Sequence, residues 1–550
     1  MLPVDESGAV QGREGYQVMQ RCTSAFAALV LLISSGAYPA QTAPNARVLQ
    51  TMKRATQFMV HKVSRSGGYV WSYLPDFSRR WGEMEARPSM IWIQAPGTSS
   101  MGHLFLDAYH ATGDAYYYAA AEAVAAALVR GQLPSGGWNY MVDFAGAESL
   151  REWYGTIGRN GWRLEEFQHY SDNGTFDDQV TSEAAKFLLR LYVEKHDGRY
   201  KPALDKAIAF VLASQYQVGG WPQRYPTGAA GSPAYSAYLT FNDEVTAENI
   251  DFLVLCYQVL GDERLLAPIK RGMEFFRASQ QAPPQAGWAL QYTLDLEPAG
   301  ARTYEPQALV TDQTARNIGH LIRFHRLTGE PRFLEGIPAA LTWLESTRTP
   351  PEWNMRKGTH PTFVELGTNK ALFVHRTGSN VVNGRYYADY DHQATLAHYS
   401  AFRPIDVAAL QASYEAARAL SPAEAVKDSP LQARQASGFP RYFTAPATLA
   451  AADAQSRLQD VLASLNAEGY WPAPLAYTSH PYRGEGARTV APGDFRSTYV
   501  GDESDTSPFP DPAPRLGIST AAYIENMNVL MAVIRAGDAS SPPAPPAAGQ

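Results

Sequence analysis

The sequence predicts a mainly α protein: an incomplete α/α toroid of repeated helical hairpins, with irregular short β segments and a C-terminal extension. Three observations predict it. Four segments read as an amphipathic helix, a tight polar turn and a second amphipathic helix, with turns TGDAYY at 112, HDGRYK at 196, LGDERL at 260 and TGEPRF at 328. With Gly113, Asp197, Gly261 and Gly329 as equivalent points the repeats are 84, 64 and 68 residues long, the scale of stacked helical hairpins. The second helices end in a shared signature, GQLPSGGWNY at 131, SQYQVGGWPQ at 214 and a looser SQQAPPQAGWALQ at 279. Its glycines stop the helix by taking a positive φ, and its Trp is expected to plug the gap between hairpins.

From the N-terminus, CTSAFAALVLLISSGAYPA at 22 to 40 follows Arg21, is too short to span a bilayer and ends in small residues. That is the build of a secretory signal occupying residues 1–40, cleaved near Ala37 or Ala40, with Met19 as the expected start of translation. Residues 45–403 are expected to form the toroid, its end covered by the aromatic run GGYVWSYLPDFSRRWGEME at 67. Within it, 350–403 loses the helical period and carries strand-like runs, THPTFVELG, ALFVHR and GRYYADYD. Residues 404–536 are expected to pack on the ring as an extension, with helices near 446–467 and over 518–535, and the Pro-rich tail 537–550 is expected to be disordered.

Composition narrows the partners. The chain of 550 residues has a net charge of −7, and removal of residues 1–40 leaves −6. This argues against a nucleic-acid partner, and any attraction for an anionic polymer has to come from clustered arginines or a bound cation. Of two cysteines, Cys22 leaves with the signal and Cys256 sits in an apolar helix, so no disulfide is expected. No membrane span is expected after signal cleavage, and the mature chain is expected to be a monomer. Aromatic residues make up 12%, enough for the flat surfaces on which sugars stack and equally for a large core.

Carboxylates collect where loops enter helices: Asp172, Asp177 and Asp178 in HYSDNGTFDDQ, then Asp243 and Glu244 in YLTFNDE. Helix capping accounts for one residue in each group. The remaining oxygen donors suit a calcium shell shared between adjacent hairpins. In the second half arginines sit in loops, Arg302 in AGARTYEP, Arg376 in FVHRTGSN and Arg385 in NGRYYADY, a pattern that grips carboxylates through bidentate forks.

The runs SDNGTF, SQYQVGGWPQRYP with YLTFNDE, GWALQYTLDLEPAGARTYEP and FVELGTNKALFVHRTG resemble, in order and spacing, the motifs of the family 10 pectate lyases, over roughly residues 165–400. The resemblance implies a helical toroid that binds calcium-bridged polygalacturonate and cleaves it by β-elimination, with an arginine taking the proton at C5. Residue by residue, it implies Asp172 and Asn173 in the calcium-site loop, Asp243 in the second acidic loop and Arg302 as the base. Arg376 and Arg385 would hold substrate carboxylates, and Trp221 and Tyr304, inside the shared runs, would face the substrate. The chain departs from the family at Asp-Asn-Gly-Thr, where Asp-Asn-Gly-Ala-Thr is the pattern, and at His375-Arg376-Thr377, so another uronic-acid polymer stays open as substrate.

Two other readings remain open. A toroid glycoside hydrolase could use Asp172, Asp178 and Asp243 as an acid and base pair, and a carbohydrate-binding protein could keep an aromatic cleft without catalysis. A terpene cyclase is excluded because no Asp-rich acid motif accompanies the Gln-x-x-x-Gly-x-Trp runs. Zinc and serine chemistry lack His-Glu-x-x-His and Gly-x-Ser-x-Gly.

Overall fold

The computed structural model describes residues 43–158, 165–229, 232–353, 358–377, 385–393, 395, 400–431, 449–475, 494–495 and 516–539. The expected signal segment 1–40 and nearly all of the tail therefore lie outside the described residues. Residues Val48–Gln550 form one compact unit, and of Met1–Arg47 the start of the first helix is described.

The helices are α1 (Ala43–Phe58), α2 (Thr98–Thr112), α3 (Ala115–Gly131), α4 (Ala147–Thr156), α5 (Glu165–Gln168), α6 (Val180–Lys195), α7 (Lys201–Ser214) and α8 (Val245–Leu260). They continue as α9 (Leu266–Ala278), α10 (Thr311–Thr328), α11 (Ile337–Ser346), α12 (Val407–Arg418), α13 (Pro422–Ala425), α14 (Ala451–Ser464) and α15 (Thr520–Ala539). The expected α/α toroid is what they form. Gly113, Gly261 and Gly329 end α2, α8 and α10 at φ of 69°, 67° and 74°, each N–H returning to a carbonyl four residues back, the left-handed stop that glycine makes cheap. His196 takes the same role after α6 at φ 51°.

The Gly-Gly-Trp turns are the joints of the ring. Trp138, Trp221 and Trp288 are fully buried, and each indole N–H donates to a carbonyl of the helix just ended: Leu128 at 2.9 Å, Val211 at 2.8 Å and Phe276 at 2.8 Å. Each turn glycine abuts the next hairpin. A Cβ on Gly136 would lie 2.3 Å from the Lys206 carbonyl in α7, and one on Gly219 2.0 Å from the Arg271 carbonyl in α9. Two further joints were not read from the sequence. Gly67, after α1, meets Ala123 of α3, and Gly469, after α14, meets Arg54 of α1, while Trp471 donates to Val461 at 2.8 Å.

Residues 404–536, expected as an extension packed on the ring, thus supply its last hairpin. Helix α15 packs on α14 and on α2, and Thr56 and Tyr523 share a hydroxyl–hydroxyl bond at 2.6 Å. Helices α2 and α6 are buried almost all round, from Thr98 to Ala108 and Val180 to Leu191, the mark of helices enclosed by others. The strand-like stretch after 350 folds as expected: Phe363–Glu365 pairs antiparallel with Ala308–Val310 and with Ala371–Thr377, which pairs with Arg385–Asp389. Tyr304, Ala308, Val310, Phe363, Leu372 and Val374 form a small core of their own under this sheet. Among the described residues no helix is long and apolar enough to cross a membrane.

Candidate active site

Two enclosed helices are entered through the same seven-residue motif. Thr175-Phe176-Asp177-Asp178-Gln179-Val180-Thr181 leads into α6, and Thr240-Phe241-Asn242-Asp243-Glu244-Val245-Thr246, 65 residues later, leads into α8. Each makes a single turn of 3-10 helix, and in each the two residues before the Val have left-handed backbone: Asp178 and Gln179 at 48° and 60°, Asp243 and Glu244 at 53° and 60°. Residues other than Gly, Asn and Asp take up that conformation at a cost of roughly 1–2 kcal/mol each, here Gln179 and Glu244. The strain is concentrated on the residues that aim Asp178 and Asp243.

A third loop, between Pro298–Ala299 and Ala308–Val310, brings Arg302 to these acids. Arg302 is 4% exposed and ion-paired to Asp177, to Glu305 at 3.1 Å, to Glu166 at 3.3 Å and to Asp243 at 3.8 Å. Asp177 also accepts from the Tyr140 hydroxyl at 2.5 Å and from Gln223 Nε2 at 2.9 Å. Tyr140 and Gln223 each lie two residues after a joint tryptophan, so the Gly-Gly-Trp turns position the site without lining it. Asp178 accepts from Gln94 Nε2 at 2.7 Å, and Asn242 Nδ2 donates to Asp243 at 2.9 Å.

The charges sort into two kinds. Burial opposes ionisation of Asp177, but Arg302, Asp243, Tyr140 and Gln223 outweigh it and hold the carboxyl below its ordinary range. Asp178 and Asp243 are pushed well up, first by burial and then by the neighbouring carboxylates. Burial pushes Glu166 up to about 8 and Glu165 up to about 7. Burial also works against the charge on Arg302, yet Asp177, Tyr304, Glu305 and Glu166 more than offset it and keep the guanidinium firmly protonated. A site with this many carboxylates on one arginine is short of positive charge.

Of the residues singled out in the sequence, Arg302 and Asp243 are brought together. Asp172 is exposed and joins no ion pair with them, and Asn173 is buried with its amide committed: Oδ1 accepts from Arg224 at 2.9 Å and Nδ2 donates to the Pro226 carbonyl at 3.0 Å. The acids that accompany Asp243 are instead Asp177 and Asp178. Of Trp221 and Tyr304, expected at the substrate, Trp221 is a fully buried joint, and Tyr304, 2% exposed, packs edge-on to Tyr386. Arg376 and Arg385 sit at the same end of paired strands, Arg376 opposite Tyr386 and Arg385 opposite Thr377, while their side chains lie outside the described residues. Among the described residues no three His, Cys, Asp or Glu side chains already meet as a metal shell.

This arginine–carboxylate centre lies inside a stretch that matches a known family, described as pectic acid lyase, over residues 151–397. Over this span the chain matches the pectic acid lyases. The match supports a polysaccharide lyase. Among solved structures, a family 10 polysaccharide lyase from Cellvibrio cellulosa is similar at 20% identity, covering 48% of this chain and 81% of that one with a TM-score of 0.35. A mutant of that lyase in complex with trigalacturonic acid is similar at 19% identity over 54% of this chain and 85% of its own, TM-score 0.36. A glycoside hydrolase family 76 mannosidase from Bacteroides thetaiotaomicron covers 90% of this chain and all of its own (100%) at 9% identity, TM-score 0.39. None of the curated proteins matches the sequence. Within the lyase span, the partners of Arg302 are Asp177, which the sequence placed in the first acidic group, and Glu166 and Glu305, which it did not single out. For Asp178 a signal existed, because the repeated motif aligns it with Asp243.

Proposed function

We propose that the protein is an exported lyase of polygalacturonate or a related uronic-acid polymer, working by calcium-assisted β-elimination. The observation that carries this reading is the convergence of Arg302 with Asp177 and Asp243, from three separate loops, inside the stretch that matches the pectic acid lyases. Export rests on the apolar run at 22 to 40.

Residues fit for calcium are Asp178 and Asp243, whose carboxyls repel one another in burial, together with Asn242, whose buried Oδ1 has no hydrogen-bond partner. Oxygen donors of this kind, on pinned turns, are what the ion takes. A divalent cation bound there supplies positive charge to the substrate carboxylate, which stabilises the enolate-like charge as the C5 proton leaves. The elimination then forms the C4–C5 double bond as the bond from C4 to the glycosidic oxygen breaks, and the departing oxygen takes up a proton.

Arg302 is the residue assigned to C5. Charged, it pairs with a carboxylate; as a base it must first lose its proton, which the surrounding acids oppose. Asp243, ion-paired to it at 3.8 Å, belongs to the set that fits calcium, so engaging Asp243 elsewhere would weaken the hold of Arg302 on its proton.

A second reading, a toroid glycoside hydrolase, is favoured by one observation. Arg302 and its hydrogen bonds draw Asp177 below the ordinary carboxylate range, while burial and neighbouring carboxylates push Asp178 and Asp243 above it, a divergence of the kind that separates a base from an acid. Absorbance of an unsaturated product in the near ultraviolet separates the two. On a panel of uronic-acid polymers the lyase reading expects calcium-dependent absorbance, lost in chelator and lost in Arg302→Ala, with polymer binding retained. New reducing ends without absorbance would replace it with hydrolysis, and binding with no new ends would leave a carbohydrate-binding protein.

A further inference from the structure

A second groove lies away from the carboxylate centre, between the segment after α11, the short 3-10 turn Pro351–Trp353 and the start of the strand Ala371–Thr377. It encloses about 350 Å³ and is lined by Arg348, Lys370, Trp353, Tyr390, Asn369 and Thr347, among others, with no Asp or Glu among the described residues of its walls. That volume accommodates a saccharide ring, small-molecule sites running from about 300 to 1,000 Å³. Lys370 Nζ sits 4.9 Å over the Tyr390 ring, and Tyr390 is 51% exposed, held by its hydroxyl donating to Glu365 at 2.9 Å. Trp353 is braced by His392, ring centroids 4.8 Å apart, and by Phe373 at 6.2 Å. Arg348 is partly offset by Glu345, which accepts from its Nε at 2.6 Å on the exposed side.

Resting on the function proposed above, we propose that this groove is an accessory binding site for an acidic saccharide chain, the same class of polymer that the carboxylate centre acts on. Arg348 and Lys370, offset in part by Glu345 and Glu365 outside the groove lining, favour an anionic chain over a neutral one, and two fixed aromatic rings supply the flat contact that a pyranose takes. Lys370 immediately precedes the strand that carries Arg376, six residues or about 20 Å further on, and the groove shares no lining residue with the carboxylate centre. A polymer can engage both, and a trimer cannot. The second contact therefore acts as a tether, raising the effective concentration of chain at the cleaving site.

The experiment compares the full-length protein with Arg348→Ala/Lys370→Ala and with Tyr390→Ala, all exposed side chains. Binding of polygalacturonate is read by affinity electrophoresis in calcium-free buffer, and turnover is read on polygalacturonate and on trigalacturonate. The double variant is expected to bind polymer roughly three- to tenfold more weakly, to lose the salt dependence of that binding, and to turn over the trimer unchanged. Tyr390→Ala is expected to bind more weakly without altering the salt dependence. Polymer binding equal to wild type in both variants would overturn the accessory site while leaving the lyase reading intact. An equal loss on the trimer would overturn it as well, by making the groove part of the cleaving cleft. A wild type that binds and cleaves no uronic-acid polymer would bring down both, and a neutral mannan held as tightly as polygalacturonate would remove the charge selection.

Discussion

Replacing Trp221 by Ala tests whether the Gly-Gly-Trp turns are joints or sugar platforms. Trp221 has no exposed surface and its indole N–H donates to the Val211 carbonyl at 2.8 Å. Truncating a fully buried Trp costs about 3–5 kcal/mol through lost burial and the cavity left behind. The orphaned carbonyl adds roughly 1–3 kcal/mol unless water enters, so the expected loss is about 4–8 kcal/mol, a large part of the stability of any domain. Urea denaturation followed by tryptophan fluorescence and circular dichroism measures it, with Trp221→Phe expected to lose less. The fraction that stays folded is expected to keep the wild-type KM for polymer. A variant of near-normal stability with a raised KM would refute the reasoning and return Trp221 to the substrate cleft. Trp471→Ala, far outside the matched span, is expected to lose as much, because it makes the same bond to Val461.

Other expectations follow from the same geometry. Asp178→Asn is expected to raise the calcium concentration for half-activity by about tenfold or more, and Asp172→Asn to leave it unchanged, as read by calcium titration of the absorbance assay; the reverse order would restore the Asp172 loop as the metal site. Gly219→Ala combines a φ of 106° with a Cβ 2.0 Å from the Arg271 carbonyl and is expected to cost roughly 2–5 kcal/mol. Gly228→Ala, at φ 73° with open space around it, is expected to cost about 1 kcal/mol. Burial lowers the His103 pKa to about 4 against the pull of Glu183. The unfolded chain takes that proton near 6.5 and the folded chain does not, so stability is expected to fall by up to about 3 kcal/mol between pH 6.5 and pH 4. His103→Gln is expected to flatten that part of the denaturation–pH curve.

The hairpins were legible because helix periodicity and a left-handed glycine are local signals, and three of the joints because Trp follows paired or single glycines. The joint at Gly469 escaped because Tyr470 stands where the second glycine does elsewhere, and the joint at Gly67 because it carries Tyr69 and no Trp. What makes them joints is the abutment on Arg54 and Ala123, which no local pattern encodes. At the site, Arg302 as base and Asp243 in the second acidic loop came from the resemblance, and the structure brings the two within 3.8 Å. Asp172 and Asn173 were favoured because their letters resemble a motif, whereas position within the repeat puts Asp178 opposite Asp243. Glu166 and Glu305 had no signal at all, since their meeting with Arg302 depends on how the loops fold over one another. Trp221 was read as a plug between hairpins and, from the resemblance, as facing the substrate; its place ten residues after Val211 is repeated by Trp138 after Leu128 and Trp471 after Val461, a spacing that speaks of packing.

Closure of the ring has a consequence for how the chain folds. Thr56 meets Tyr523 across 467 residues, and the Thr520 hydroxyl donates to the Val70 carbonyl across 450. Contacts of such sequence separation form late, because the loop entropy they cost is recovered only when everything between them is in place. The early hairpins gain their neighbours one at a time as the chain lengthens, but the seam between α2 and α15 forms only with the last twenty residues of described chain. Until then the apolar side of α2 stays uncovered, and a chain interrupted before α15 is a sticky arc in place of a smaller ring.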